Sequence, residues 1–349
     1  MTKVCVIGTD VNPVPTEVAW SGIESLVTYQ VKGFVELGLD VTLVSMKGSK
    51  WKDWDKIKLV EIDIPRDCDR EKVFFEGYRN VIQNFDGAVI DHSNGKLAWS
   101  ANNRTINVTH WLQYPGSMAF KNVVCISRCH ADWARSCYPR NIASSGRGPE
   151  IVYNGMDPST FPFVDRDGKG DENLFFSVLG PYKGADTVIE LAHRLPQYKF
   201  AFGGRNSDYS DVVKREAAEH KNIIFYGEVS HDKKKEIMGR ARVLFQLPKR
   251  FNPQDRYPFM DILPMTIIEA NLCGTPIIGL NEGGVPEMIE NGVNGIVCGN
   301  IDEVIRAIDT IGSIDNKKCR EYAENRFSYI RMAKDYIKLI ERVQRGETW

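Results

Sequence analysis

Two periodicities run through this chain, and they appear in the same order twice. Residues 3–8 are a short apolar run of strand length. After a loop with Pro13 and Pro15, residues 22–37 carry apolar side chains at helical spacing until Gly38 ends the pattern, and residues 40–46 read as a second strand. Residues 85–92 (F-D-G-A-V-I-D-H), 105–110 (T-I-N-V-T-H) and 123–127 are further buried runs too short for helices, and 127–138 reads as a helix. Strand, helix and strand in succession predict a parallel sheet, whose ligands gather beyond the carboxyl ends of its strands.

Between Asn141 and Asn173 the composition shifts to Gly, Ser, Pro and Asp, interrupted only at residues 150–153, as expected of a linker. The alternation then restarts with strands predicted at 174–179, 199–203, 223–227 and 243–247 and helices at 185–195, 208–220 and 232–241. From Asp261 to Glu287 a helix bearing Met265, Ile268 and Leu272 on one face is followed by Gly274 and a strand over 275–280, and a last amphipathic run covers 328–343. The fold class predicted is α/β: two doubly wound domains, 1–165 and 166–325, facing each other across a cleft, with a C-terminal helix, 326–349, packing back across both.

A length of 349 residues agrees with two domains. Forty-five basic and forty-six acidic residues give a net charge of −1, so no overall field draws the chain to nucleic acid. The eight cysteines are scattered among apolar residues without a C-x-x-C pair, a pattern of reduced cytosolic thiols. The first residues pass directly into a strand rather than a signal peptide, and no apolar run is long enough to span a bilayer. The localisation expected is cytoplasmic. Residues 47–58 interleave Trp51 and Trp54 with lysines, a candidate for peripheral contact with a membrane or a glycan; a loop folded back onto the core is the alternative.

Candidate chemistry lies at the strand ends. Glu269 sits beside the apolar seam of its helix, where an ionised carboxylate needs donors; a helix-capping or core ion-pair glutamate is the alternative. Gly22, at a helix start, offers backbone N–H groups to an anion or merely eases a turn. His92 and His110 close successive strands, where side chains point into the crevice; satisfied core or surface histidines are the alternative. Lys183 stands in the glycine-bracketed turn G-P-Y-K-G, suited to a phosphate, and Arg205 follows Gly203-Gly204 one strand later. Gly283 and Gly284 make a third glycine-rich turn. Three such turns point to a phosphate ester, or are ordinary strand-to-helix turns.

In order, G-P-Y-K-G-A-D, F-Y-G-E-V and I-I-E-A-N-L-C-G-T-P-I-I-G-L-N-E-G-G-V-P-E-M-I-E-N-G-V-N-G resemble the second domain of the retaining glycosyltransferases of family 4, of GT-B architecture. In the first half S-G-I-E, F-D-x-x-x-x-D-H, V-T-H, I-S-R and I-V-Y-N-G-M-D-P-S-T-F fall in that family's order. The resemblance implies a cytoplasmic enzyme that moves a sugar from a nucleoside diphosphate donor to a hydroxyl of a glycan, lipid or small molecule, without a metal or other cofactor. It places Glu269 on the ribose, Lys183 on the diphosphate, Asp261 and His110 at the transferred sugar with His92 before them, Val229 at the base and Gly22 facing the diphosphate. Three positions depart from the family pattern. Asp261 replaces the first glutamate of an E-x-x-x-x-x-x-x-E motif, Pro264 replaces a glycine and removes an N–H, and Val178 stands where the family has a diphosphate-binding arginine. Losing one charge-assisted contact costs about 1.5–3 kcal/mol, so another cation is expected in its place: Arg205 first, then Arg250 and Arg256. The alternatives are a degenerate module that binds without turnover and a sugar-nucleotide epimerase. A nicotinamide dehydrogenase is disfavoured because G-x-G-x-x-G is missing.

Overall fold

The structure, a computed structural model, describes residues 1–15, 22–51, 54–93, 98–110, 121–137, 148–249 and 260–349. They divide into two units, Met1–Met156 with Ser328–Trp349 and Asp157–Phe327. The first unit therefore takes back the end of the chain, and its boundaries differ from the 165 and 325 expected from composition.

In the first unit a seven-stranded sheet has the order β3-β2-β1-β4-β5-β6-β7. Its strands are β1 (Lys3–Ile7), β2 (Asp40–Met46), β3 (Ile57–Ile62), β4 (Ala88–Asp91), β5 (Thr105–Thr109), β6 (Val123–Cys125) and β7 (Glu150–Ile151). Every pairing is parallel. The central strands are buried along nearly their whole length, as strands covered on both faces are, although β4 and β5 carry Asp91, Thr105, Asn107 and Thr109 inside. Helices α1 (Gly22–Glu36), α2 (Arg70–Gln83), α3 (Ala98–Ala101) and α4 (Arg128–Cys137) connect them. The order reverses between β1 and β4, which opens a crevice at their carboxyl ends. Residues 47–58 do not form one loop: β3 begins at Ile57, and Trp51 is buried. The side chain of Trp54 lies outside the described residues. Phe74, Phe75, Tyr78 and Ile82 seat α2 on the sheet, and the Asp69 side chain caps it by accepting from Lys72 N at 3.2 Å.

The second unit repeats the plan in six parallel strands ordered β10-β9-β8-β11-β12-β13. These are β8 (Glu172–Phe176), β9 (Lys199–Gly203), β10 (Ile223–Gly227), β11 (Val243–Gln246), β12 (Ile277–Leu280) and β13 (Gly295–Cys298). The helices are α5 (Ala185–Arg194), α6 (Ser210–Glu219), α7 (His231–Arg240), α8 (Met265–Leu272), α9 (Ile301–Thr310) and α10 (Asn316–Phe327). Phe175, Phe200, Phe202 and Phe245 fill the core on one side of the sheet together with Val188, Leu191 and Val304. Here the order reverses between β8 and β11. Among the described residues no helix is long and apolar enough to cross a membrane.

Candidate functional site

The richest grouping of polar side chains lies where β8 and β11 end. Beyond β8 the chain makes a short turn over Pro181–Lys183, closed by Gly184 at φ +96°. A Cβ there would lie 2.0 Å from the carbonyl oxygen of Leu247, so glycine lets the turn press against the end of β11. This close approach delivers Lys183 across the switch point. Its Nζ lies 2.8 Å from Asp261 Oδ2, and Gln246 Nε2 donates to the same oxygen at 2.9 Å. Thr266 Oγ1 holds the other end of the Gln246 amide, donating to Oε1 at 3.2 Å. Asp261 is only 8% exposed, so its charge is supported by an ammonium and an amide instead of by water.

Arg205 borders the same corner. Gly204 has φ +120°, and a Cβ there would meet the Ser177 oxygen at 2.0 Å. The carbonyl of Arg205 accepts from Leu179 N at 2.9 Å, which fastens it beside the loop that carries Val178 and Lys183. Tyr182 reports the charge around it: burial raises its phenol above the ordinary range, Arg205 opposes that and Asp261 adds to it. Arg205 itself is exposed. Arg250 and Arg256 lie outside the described residues.

Gly283 and Gly284 belong to this corner for a structural reason. An added Cβ on Gly284 would stand 2.1 Å from the Ile262 oxygen, and one on Gly283 would stand 2.5 Å from the Asp261 oxygen. Gly284 N donates to that Asp261 oxygen at 2.8 Å. The turn therefore clamps the backbone of Asp261. Pro264 occupies the N-cap position of α8 with an extended backbone, φ −68° and ψ 105°.

On α8, Glu269 is 7% exposed and has a protein partner, the core ion pair that was the alternative reading of this carboxylate. Lys234 Nζ of α7 lies 2.6 Å from Glu269 Oε1 and 5.6 Å from the centre of the Phe176 ring. Glu269 Oε2 is buried with no hydrogen-bond partner among the described residues. The lysine run 233–235 looks like a solvated face. Yet Lys234, Ile237 and Met238 recur at helical spacing and all are buried on α7, which is the signal that identifies the inward lysine. Val229 is half-buried in the short segment between β10 and α7.

In the first unit, His92 and His110 meet beyond β4 and β5. His92 Nδ1 is 3.0 Å from His110 Nε2, His92 Nε2 is 2.9 Å from Gln30 Oε1, and the rings stack at 5.2 Å. His92 is 0% exposed with both ring nitrogens engaged, Nδ1 by His110 and Nε2 by Gln30. Burial, and then His110, holds His92 well below the ordinary imidazole range; burial, and then His130, lowers His110 to about 3. Both rings are therefore neutral at physiological pH. Gly22 is the exposed first residue of α1, and a Cβ there would meet nothing within 4 Å. In the same first turn Glu24 is buried and accepts a hydrogen bond from the Thr9 hydroxyl. Lys183, Asp261, Gly283 and Gly284 are thus brought together with Arg205 beside them, Glu269 is on the adjoining helix, and His92 and His110 pair in the other unit.

Residues 159–327 match a family model described as Glycosyl transferases group 1. An uncharacterized 41.2 kDa protein in the cps region of Klebsiella pneumoniae is 25% identical over 205 residues, 54% of each chain. Alpha-galactosylglucosyldiacylglycerol synthase of Streptococcus pneumoniae is 35% identical over 102 residues, 28% of this chain and 25% of that one. This chain thus spans about half the length of the first of these curated relatives and a quarter of the second. Among solved structures, AviGT4, a glycosyltransferase involved in avilamycin A biosynthesis, superposes with a TM-score of 0.80 at 19% identity over the whole of both chains. At that identity the likeness speaks for the fold, two parallel-sheet α/β domains of GT-B type.

Proposed function

The chain carries a glycosyl transferases group 1 domain, and from that premise we propose that it transfers a sugar from a nucleoside diphosphate donor to a hydroxyl acceptor with retention at the anomeric carbon. The observation that carries the reading is the Lys183–Asp261 pair at the β8/β11 switch point, 2.8 Å apart, with Arg205 beside it. A nucleoside diphosphate brings two anionic phosphates, a ribose diol and a sugar. Lys183 and Arg205 suit the phosphates, the unpartnered Oε2 of Glu269 suits a ribose hydroxyl, and Asp261 suits a hydroxyl of the sugar. Arg205 supplies the cation missing at Val178.

In the proposed step the bond from the anomeric carbon to the leaving diphosphate oxygen breaks while the acceptor oxygen bonds to the same face. The acceptor proton passes to the departing diphosphate. Negative charge grows on that diphosphate, and Lys183 and Arg205 stabilise it from fixed positions. Before donor arrives, Lys183 and Asp261 neutralise each other; the phosphate takes over the ammonium as the sugar takes the carboxylate. By family resemblance His110 is assigned to the transferred sugar; its ring is held neutral by burial and its Nε2 faces His92, so the remaining ring nitrogen is an acceptor for a hydroxyl. The acceptor class is a glycan, lipid or small-molecule hydroxyl, and no metal is assigned to the step.

The test is a donor screen by mass spectrometry, followed by the stereochemistry of the product. Retention is expected, and Lys183→Ala should lower donor affinity by about tenfold or more, the worth of one charge-assisted contact. Inversion, or turnover indifferent to Lys183→Ala, would overturn the mechanism. The closed Lys183–Asp261 pair also favours a second reading, a module that binds a nucleotide sugar and does not turn it over; donor binding without product across a broad acceptor panel would establish it.

A further inference from the structure

We infer that the second unit carries a zinc-type metal site on its outer surface, formed by His193, Glu216 and His220 and separate from the residues assigned to the donor. His193 lies in the last turn of α5, Glu216 in the last turn of α6, and His220 is the residue that ends α6. Glu216 Oε2 is 2.8 Å from His193 Nε2 and 3.6 Å from His220 Nε2. One donor atom from each of the three lies within 4.8 Å of the others, and the two imidazole rings stand with centroids 4.5 Å apart. A tetrahedral ion bound at about 2.0–2.1 Å holds its ligand atoms roughly 3.3–3.5 Å apart, so rotation about the side-chain bonds brings all three onto one ion.

The chemistry selects the kind of ion. Two imidazole nitrogens and one carboxylate suit Zn²⁺ and its late first-row neighbours, whereas Mg²⁺ and Ca²⁺ take oxygen ligands. Three protein ligands leave one position for water, and the partial exposure of the side chains, 42%, 16% and 42%, leaves that position open to solvent. The local field agrees, because both helices present their carboxyl-terminal ends here and a cation is favoured at that end of the dipole. Direct hydrogen bonding accounts for less of the arrangement. Glu216 can accept from His193 at 2.8 Å, but His220 at 3.6 Å is beyond a hydrogen bond to the same oxygen. An ion shared by the three would tie the end of α5 to the end of α6, so the site acts as a clamp between neighbouring helices and supplies nothing to sugar transfer.

The experiment strips the full chain of metal with a chelator and titrates it with Zn²⁺ by calorimetry, with Mg²⁺ as control. Co²⁺ then serves as a spectroscopic probe. One Zn²⁺ per chain is expected, no Mg²⁺ binding, and a Tm that rises with added Zn²⁺. His193→Ala/His220→Ala and Glu216→Gln should each weaken Zn²⁺ roughly tenfold or more and abolish the rise in Tm, while their circular dichroism stays that of the parent. The Co²⁺ complex should lack a thiolate charge-transfer band. Absence of Zn²⁺ binding, an affinity unchanged in the double variant, or a thiolate band placing the metal on cysteines would each overturn the inference.

Discussion

Burial sets the protonation of single residues in the first unit, and the signs can be tested. His92 and His110 are held neutral, with pKa values below those of the unfolded chain. Each therefore contributes stability that is complete above the unfolded pKa near 6.5 and is lost as pH falls below it, by about 1.4 kcal/mol per pH unit per histidine. Asp91 has the opposite sign. Burial pushes it up to about 6 against two hydrogen bonds from Ser93, and its Oδ2 has no partner among the described residues. Its ionisation thus costs stability as pH rises through 6. Asp91→Asn keeps an acceptor for Ser93 and removes that charge, so it should stabilise the first unit by roughly 1–3 kcal/mol at pH 7 and by almost nothing at pH 4. Its acid unfolding should also be steeper than the parent's, because only the histidine slope remains; urea titrations across that pH range measure both. In the second unit the Lys234–Glu269 pair is buried on both sides. Lys234→Met should cost about 3–5 kcal/mol by stranding the carboxylate, and adding Glu269→Gln should restore part of the loss. If the two losses simply add in a double-mutant cycle, the pair is not the support described here.

At the scale of elements, the glycine-rich turns show what sequence patterns can and cannot reveal. That strands would be followed by turns near Lys183, Arg205 and Gly283 was legible from apolar runs ending in glycine, and the helical seam of Met265, Ile268 and Leu272 marked α8. What compels those glycines was not legible, because Ser177, Leu247, Asp261 and Ile262 are brought against them only by the folded sheet. Gly284→Ala should push the Ile262 carbonyl away, loosen Asp261 from Lys183 and Gln246, and cost about 1–3 kcal/mol together with donor affinity. Gly22→Ala is its control: nothing lies within 4 Å of the added methyl group, so stability should hold, and any loss of donor binding there would support the anion-facing role. Lys234 escaped the sequence reading for a related reason. A run of three lysines reads as solvated until the phase of the helix is fixed by Ile237 and Met238, and its carboxylate partner stands thirty-five positions further along the chain.

For the whole molecule, each sheet could be read in advance to the extent that its strands are apolar in a continuous run. Edge elements such as β3, with Lys58 and Glu61 breaking its burial pattern, were lost among the charged residues around them. The chain's return is a contact that no local pattern reveals. The helix Tyr329–Gln344 belongs to the first unit, where it lies along α1, and six of its residues are buried. A Cβ on Gly33 would lie 2.8 Å from that of Ala333, and the Tyr329 hydroxyl donates to Glu36 Oε2 at 2.6 Å. Beyond the helix, Trp349 Nε1 donates to the Val123 oxygen at 2.9 Å, and the Asn122 N–H donates to the Trp349 oxygen at 2.8 Å. Residues more than two hundred positions apart thus complete the same sheet and its helical cover, and their ordering belongs to the first unit's stability. Ala333→Leu overfills the α1 contact and should cost the first unit about 1–3 kcal/mol. Hydrogen exchange resolves where that cost falls: amides of β1, β4 and α1 should exchange faster, while those of β8, β11 and α8 keep the parent's protection. Equal loss of protection in both units would show that they unfold as one and that the returning helix stabilises more than the sheet it covers.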